Sequence, residues 1–341
     1  MSKFPLEVLR KKVYPFTLGK HTDPGVVLGS TFGEDVAVTR VGGDLLLSHV
    51  DPIVGAVKGI GWLAVHVACN DIAASGIKPR WIQLLVLVAS AKEVDQVERI
   101  MSDAARAAES LGVTIIGGHT GYSAALERPL VAVTALAPAE GRRVVTTGGA
   151  RPGDLIYVTR GIGLEGTGIL ASDFAEEALS RGLEQRDIQD ALKLLESVSV
   201  VPEALELSDL GATAMHDVTR GGVLETFLEI GSCSGVCMDI DASALPVPPV
   251  VNRFAEAFGF DPLKMISSGT LAVTLPPESV EEAEKCFARG LCDLKQVGVA
   301  TEGEGVRLRE KDKDRLFTEM ACEEDELARM WELLVPEGKR A

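Results

Sequence analysis

Aromatic residues make up only 5% of this 341-residue chain. Its core must therefore be built mainly from Val, Leu, Ile and Ala. Basic residues are also scarce, with 34 Lys and Arg against 50 Asp and Glu, a formal net charge of -16. Nucleic-acid binding is excluded as a leading reading, because neutralising phosphates needs clustered cations. Phosphate on a small molecule would have to be met by backbone amides, a few basic residues or a divalent cation. No apolar run approaches the roughly 18 residues of a membrane span. The stretch from Leu63 to Cys69 is short and is broken by His66. The opening MSKFPLEVLRKK lacks the apolar centre of a signal peptide. A cytoplasmic protein with no membrane partner is the expectation. The six cysteines contain no C-x-x-C pair, and Cys233 and Cys237 have no second pair to complete a zinc site. Reduced thiols, mostly buried, are expected. Neither a Walker sequence nor a G-x-S-x-G elbow occurs.

What is present is a soluble globular profile, 46% hydrophobic and 25% charged, long enough for two domains. Residues 1–34 read as an N-terminal arm with one short helix near Leu6–Lys12. Val36–Val41 and Leu45–Val50, separated by Gly42-Gly43-Asp44, predict a β-hairpin. Gly59–Ser75 predicts a buried Ala-rich helix, Trp81–Ala89 a strand, and Glu93–Leu111 a helix with an apolar stripe. Strands at Val113–Ile116 and Leu130–Leu136 complete an N-terminal domain over 35–150, and Gly148–Gly153 marks its boundary. A C-terminal domain over 151–310 mixes strands with helices, among them Glu165–Ala178, Asp187–Leu195, Pro202–Asp209, Gly222–Ile230 and Val280–Ala288. A charged tail over 311–341 ends in a helix, Glu323–Leu334. Without strict βαβ alternation, the fold class is α+β.

Four acidic clusters sit at strand ends, beside glycine or in a buried helix: Gly33-Glu34-Asp35, Asp51 leaving its strand, Asn70-Asp71, and Asp217 in His216–Gly222. A carboxylate inside an apolar helix is costly unless paired or bound to metal. Asp71 alone could hydrogen-bond a neighbouring helix terminus. Several such groups converging would repel one another, and magnesium would relieve that repulsion and bridge to phosphate oxygens. Two glycine-rich turns, Gly117-Gly118-His119-Thr120-Gly121 and Gly161–Thr167, could offer amides to phosphate. His119 and His216 are open either to hydrogen-bonding or to acid–base roles.

Taken in order, these segments resemble the aminoimidazole-ribonucleotide synthetase (PurM-like) superfamily. Gly33-Glu34-Asp35-Val36-Ala37-Val38, Asp51-Pro52-Ile53, Cys69–Gly76, Gly117–Thr120 and His216–Gly222 are similar to its successive signature elements. The resemblance implies a two-domain α+β protomer whose N-terminal mixed sheet pairs with a second copy into a dimeric barrel. A C-terminal α/β sandwich domain completes it. It further implies ATP with Mg2+ in the cleft between domains. Asp35, Asp51, Asp71 and Asp217 would hold metal. Gly33, Asp35, Asp51, Asn70, Gly117, Gly118, His119 and Thr120 would contact nucleotide, some across the dimer. Asp217, Arg220 and His119 would take part in catalysis. The shared chemistry activates an amide- or carbamoyl-like oxygen by phosphorylation.

The nearest branch resembles HypE, a hydrogenase maturation factor that acts on a C-terminal Cys of its own. The last cysteine here is Cys322, and the chain ends Gly338-Lys339-Arg340-Ala341. The branch's acidic Asn-Glu-Gly-Lys stretch appears as Ser267-Ser268-Gly269-Thr270. The acceptor is therefore expected to be a separate small molecule or partner protein. HypE proper, a thiamine-monophosphate-kinase-like enzyme and a non-catalytic nucleotide-binding scaffold are the alternatives. Selenophosphate synthetase is set aside, because no Cys precedes Cys69.

Overall fold

The computed structural model describes residues 4, 6–17, 19, 23–54, 58–311, 313–319 and 325–335. Two short helices open it, α1 (Leu6–Lys12) and α2 (Tyr14–Thr17), followed by strand β1 (Val26–Leu28). The first domain continues with β2 (Ala37–Val41), β3 (Asp44–Val54), α3 (Ile60–Ala74), β4 (Trp81–Val88), α4 (Val94–Leu111), β5 (Thr114–Tyr122) and β6 (Leu130–Pro138). The second holds β7 (Leu155–Thr159), α5 (Leu164–Asp173), α6 (Ala175–Ser180), α7 (Gln185–Leu194), α8 (Val201–Asp209), β8 (Ala214–Asp217) and α9 (Gly222–Ser234). It ends with β9 (Cys237–Asp241), α10 (Pro249–Phe258), β10 (Leu271–Leu275), α11 (Pro277–Phe287), β11 (Leu294–Thr301), β12 (Val306–Arg309), β13 (Asp314–Phe317) and α12 (Glu326–Leu334).

The N-terminal sheet has the order β1-β2-β3-β6-β4-β5. Only β4 and β5 run parallel, as a crossover through α4 requires. The Gly42-Gly43 turn closes the expected hairpin, pairing Val41 with Asp44. Alternation sends Val131, Val133, Ala135 and Ala137 of β6 and Ile82, Leu84, Val86 and Val88 of β4 onto one buried face. The small side chains of α3 let it lie close on that face, and fourteen of its fifteen residues are buried. Helix α4 covers α3 with Ile100, Ala104, Ala107 and Ala108. Burying each large aliphatic side chain contributes about 1.5–3 kcal/mol. The opposite face of the sheet carries half-buried Leu85, Leu87 and Leu136, and Val50 there is 60% exposed.

The second sheet has the order β13-β12-β9-β11-β7-β10-β8 and is antiparallel except at β12–β9. One apolar core joins the domains: Ile60, Ala64 and Ile72 of the first belong to the same cluster as Tyr157, Val200, Met215 and Leu271 of the second. A satellite core gathers Leu170, Ile188, Phe254, Phe258 and Met330 of α5, α7, α10 and α12.

Several sequence expectations shift. Residues 26–28 of the expected arm form the sheet's first strand, and residues 314–317 of the tail form the last strand of the second sheet. The single helix expected over Glu165–Ala178 breaks at Phe174 into α5 and α6. Helix α10 starts at Pro249, where proline fits the first turn because its missing N–H would be unpaired there. Asp51 sits within β3, opposite Val133, rather than leaving the strand. The Gly117–Thr120 turn is not a turn. A register shift near Ile116 lets β5 continue alongside β4 through Tyr122. Gly118 has φ +149°, and a Cβ there would lie 1.9 Å from the Leu84 carbonyl oxygen. Cys322 and residues 336–341 lie outside the described residues.

Candidate active site: an acidic cluster between the domains

Three segments meet where the domains join. Asp35 lies just before β2, Asp71 in the last turn of α3, and His216-Asp217 at the end of β8. One donor atom each from Asp35, His216 and Asp217 lies within 4.8 Å of the others. His216 Nε2 is 3.0 Å from Asp35 Oδ2 and 3.3 Å from Glu229 Oε2, while its Nδ1 is 3.7 Å from Asp217 Oδ1. Nδ1 also hydrogen-bonds the Asp217 backbone carbonyl at 2.6 Å. Burial by itself would depress the His216 pKa. The surrounding carboxylates Asp35, Glu229 and Asp217 outweigh it and push the imidazole up to about 10. While it keeps that proton, His216 is a counter-ion and not a metal ligand.

Asp71 and Asp217 come within hydrogen-bonding range of each other, and both carboxyls are pushed up. Burial is the largest cause for each. The negative charges of Asp35 and Asp51 add to it, and His216 pulls Asp217 part of the way back. Two buried carboxylates side by side need a shared proton or a cation. Apart from a proton shared with Asp71, no hydrogen-bond donor among the described residues reaches either Asp217 oxygen. His49, on β3, bonds the Asp35 carbonyl through Nδ1 and lies 3.1 Å from Asp71 Oδ2 through Nε2. An open groove of about 420 Å³ leads to this place, lined by Gly29, Glu34, Asp35, Ser48, His49 and Thr134.

The other expected site residues are placed as follows. Gly33 has φ +73°, and a Cβ on it would meet Cys233 Sγ of α9 at 2.6 Å, so the turn into Asp35 closes only around glycine. Glu34, at the wall of the groove, accepts from the Thr147 and Gly148 amides (3.2 and 3.3 Å), and burial pushes its pKa up. Asn70 is fully buried: its Nδ2 donates to Val198 O (2.8 Å), and its Oδ1 accepts from Val200 N (2.9 Å). It therefore ties α3 to the segment before α8. Gly117, Gly118, His119 and Thr120 lie exposed on the edge strand β5. Asp51, Val133, Leu84 and Gly118 share one row across the sheet. Three strand spacings, ~14 Å, therefore separate Gly118 from Asp51 within one chain.

The Gly161–Thr167 turn is wholly buried. Three of its amides are engaged by protein: Ile162 N donates to Pro246 O, Leu164 N to Ser267 Oγ, and Gly166 N to Ile266 O, each at 3.0 Å. The helix start is filled by protein. Near the acidic cluster, two buried acids escaped the sequence reading, Glu165 (2% exposed) and Glu229 (7% exposed). The criterion that singled out Asp71, a charge among apolar helix neighbours, also applies to Glu229 between Leu228 and Ile230.

The family description for the N-terminal domain of AIR synthase related proteins matches residues 33–139, and that for the C-terminal domain matches 151–311. The chain belongs to this family. Among curated proteins, the carbamoyl dehydratase HypE of Cupriavidus necator is 32% identical over 226 residues, covering 65% of this chain and 61% of that protein. HypE of Rhodobacter capsulatus is 30% identical over 229 residues, covering 67% and 65%. The matched region thus spans less than two thirds of the length of these relatives. Among solved structures, the hydrogenase maturation protein HypE in complex with ATP superposes with a TM-score of 0.70 at 23% identity, over 91% of this chain and 92% of that one. The thiamine monophosphate kinase of Aquifex aeolicus gives 0.65 at 21%, over 80% and 90%. The two-domain PurM-like fold inferred from the ordered motifs is therefore the observed one. No helix among the described residues is long and apolar enough to cross a membrane.

Proposed function

We propose that this chain is an ATP-dependent enzyme that phosphorylates or dehydrates an amide- or carbamoyl-like oxygen on a separate acceptor, a small molecule or a protein-bound group. The observation that carries this reading is the convergence of buried acids from both domains, with Asp217 left without a donor other than Asp71. Oxygen-only carboxylates suit magnesium. Asp35, Asp51, Asp71 and Asp217 would hold the ion. When bound, magnesium would neutralise and orient the nucleotide phosphates. The groove beside Asp35 has the volume of a small-molecule site. His216 offsets part of the negative charge when nucleotide is absent. Asp217 and Arg220 line the reacting end.

The HypE branch is favoured because the curated relatives described above carry that name and one HypE structure holds ATP. The uncovered apolar face of the N-terminal sheet supports a homodimer. In that arrangement Gly117, Gly118, His119 and Thr120, too far from Asp51 within their own chain, would serve the partner's nucleotide. The reading fits a cytoplasmic protein. Calorimetry with ATP, with and without EDTA, tests it. Binding should need the divalent cation, and Asp217→Asn should weaken it at least tenfold. Equally tight binding in EDTA would sink the carboxylate–metal reading.

A further inference from the structure

Arg160 stands between β7 and the buried Gly161–Thr167 turn. It is one of two non-glycine residues at positive φ among the described residues, with φ +55°. That left-handed backbone is costly for a residue with a Cβ and persists where surrounding contacts over-determine it. The contacts here are those of the guanidinium. Its Nη1 donates to three carbonyls, Ser197 O at 3.0 Å, Ser199 O at 2.5 Å and Gly269 O at 3.1 Å. Its Nη2 lies 2.8 Å from Oε1 of Glu203 on α8, whose side chain is 0% exposed. Burial pushes the Glu203 carboxyl up to about 7, and the Arg160 charge opposes that shift.

Two paths lead from these carbonyls to the acidic cluster. Ser197 and Ser199 flank Val198, whose carbonyl accepts from Asn70 Nδ2 at 2.8 Å, and Val200 N donates to Asn70 Oδ1 at 2.9 Å. Asn70 immediately precedes Asp71 on α3. The second path runs through Gly269. Next to it, Thr270 O accepts from Val218 N at 2.9 Å, and Ser267 N donates to Val218 O at 3.3 Å. Val218 immediately follows Asp217. Gly269 has φ +99°, and a Cβ on it would lie 2.4 Å from Ser197 O, so the two loops approach backbone to backbone. One guanidinium nitrogen fastens the loop that grips Asn70 to the loop that grips Val218.

We propose that Arg160 is a positioning residue of the acidic site, fixing how far apart Asp71 and Asp217 stand. The inference rests on the carboxylate–metal reading. Magnesium demands near-ideal octahedral geometry, and a binding constellation must be held within about 0.5 Å of its productive arrangement. Lysine is a poor substitute at 160. Its ammonium carries the charge but lacks the planar fork that reaches Glu203 and three carbonyls together. Glutamine is a fair substitute at 203, because it keeps an acceptor for Nη2 and leaves the Nη1 contacts in place.

The test titrates Mn2+, a paramagnetic stand-in for magnesium, into the full chain and reads the free ion by electron paramagnetic resonance. Thermal melting is recorded on the same samples. Arg160→Lys should weaken Mn2+ binding at least tenfold, whereas Glu203→Gln should change it less than threefold. Gly269→Ala pries the two loops apart without altering Arg160 and should weaken binding as Arg160→Lys does. It decides the matter if Arg160→Lys does not fold. Phe254→Leu, in the satellite core, should lower the melting temperature and leave Mn2+ affinity unchanged. That control separates positioning from general loss of stability. Undiminished binding by Arg160→Lys, a larger loss in Glu203→Gln than in Arg160→Lys, or a loss in Phe254→Leu that tracks its melting temperature would overturn the assignment. These outcomes leave the metal reading standing, whereas a wild type that binds no Mn2+ sinks that reading and this inference with it.

Discussion

His66 offers a quantitative test of how α3 is built. Its ring is 3% exposed and packs at 4.3 Å on Trp62, and neither ring nitrogen has a hydrogen-bond partner among the described residues. Burial alone lowers its pKa to about 4 from the ordinary 6.5. A base whose folded pKa is depressed leaves the unfolded chain with more bound protons between those two values. Stability is therefore complete above pH 6.5 and is lost as pH falls from 6.5 towards 4. At 1.36 kcal/mol per pKa unit the full loss is about 3.4 kcal/mol, of which about 2 kcal/mol has gone by pH 5. His66→Leu keeps the volume and removes both the proton site and two unpaired polar atoms. At pH 7.5 the variant should equal or exceed the wild type, since unpaired buried groups cost about 1–3 kcal/mol each. The assay is urea unfolding of both proteins from pH 7.5 to pH 5, read as the difference between them so that the other titrating groups cancel. The gap should widen by about 2 kcal/mol across that range. A constant gap, or a wild type more acid-resistant than the variant, would refute the burial argument.

Asn70→Ala should leave Val198 O and Val200 N buried and unpaired, costing about 2–4 kcal/mol. Thermal melting measures that loss, and an unchanged melting temperature with weakened ATP binding would instead make Asn70 a nucleotide contact. The uncovered face of the N-terminal sheet should hold two copies together at micromolar concentration. Sedimentation of a monomer there would count against the barrel arrangement and against His119 serving a partner's site.

The sequence carries its central features where chemistry and local pattern agree. Helix α3 was legible because a long Ala-rich run ends at Gly76, and Asp71 because a charge among apolar neighbours must be paired, hydrogen-bonded or bound to metal. Asp35, Asp51 and Asp217 were legible through their order along the chain. Glu165 was not, because its glycine-rich turn drew attention to backbone amides while the side chain did the unusual thing. The fate of Gly117–Thr120 was also hidden. Nothing local separates a Gly-Gly turn from a bulged strand, and the deciding contact is the distant pairing with β4. Helix α10 had no counterpart in the sequence reading, and Pro249 opens it.

The Gly148–Gly153 connection, expected as the boundary between domains, is pinned. A Cβ on Gly149 would fall 1.9 Å from Thr213 O, Thr146 bridges to Ala214, and Ala150 N donates to Ser234 Oγ at 3.1 Å. With the apolar core continuous on both sides of it, this crossing cannot act as a hinge. The floor of the candidate site is thus a single packed unit to which both domains contribute.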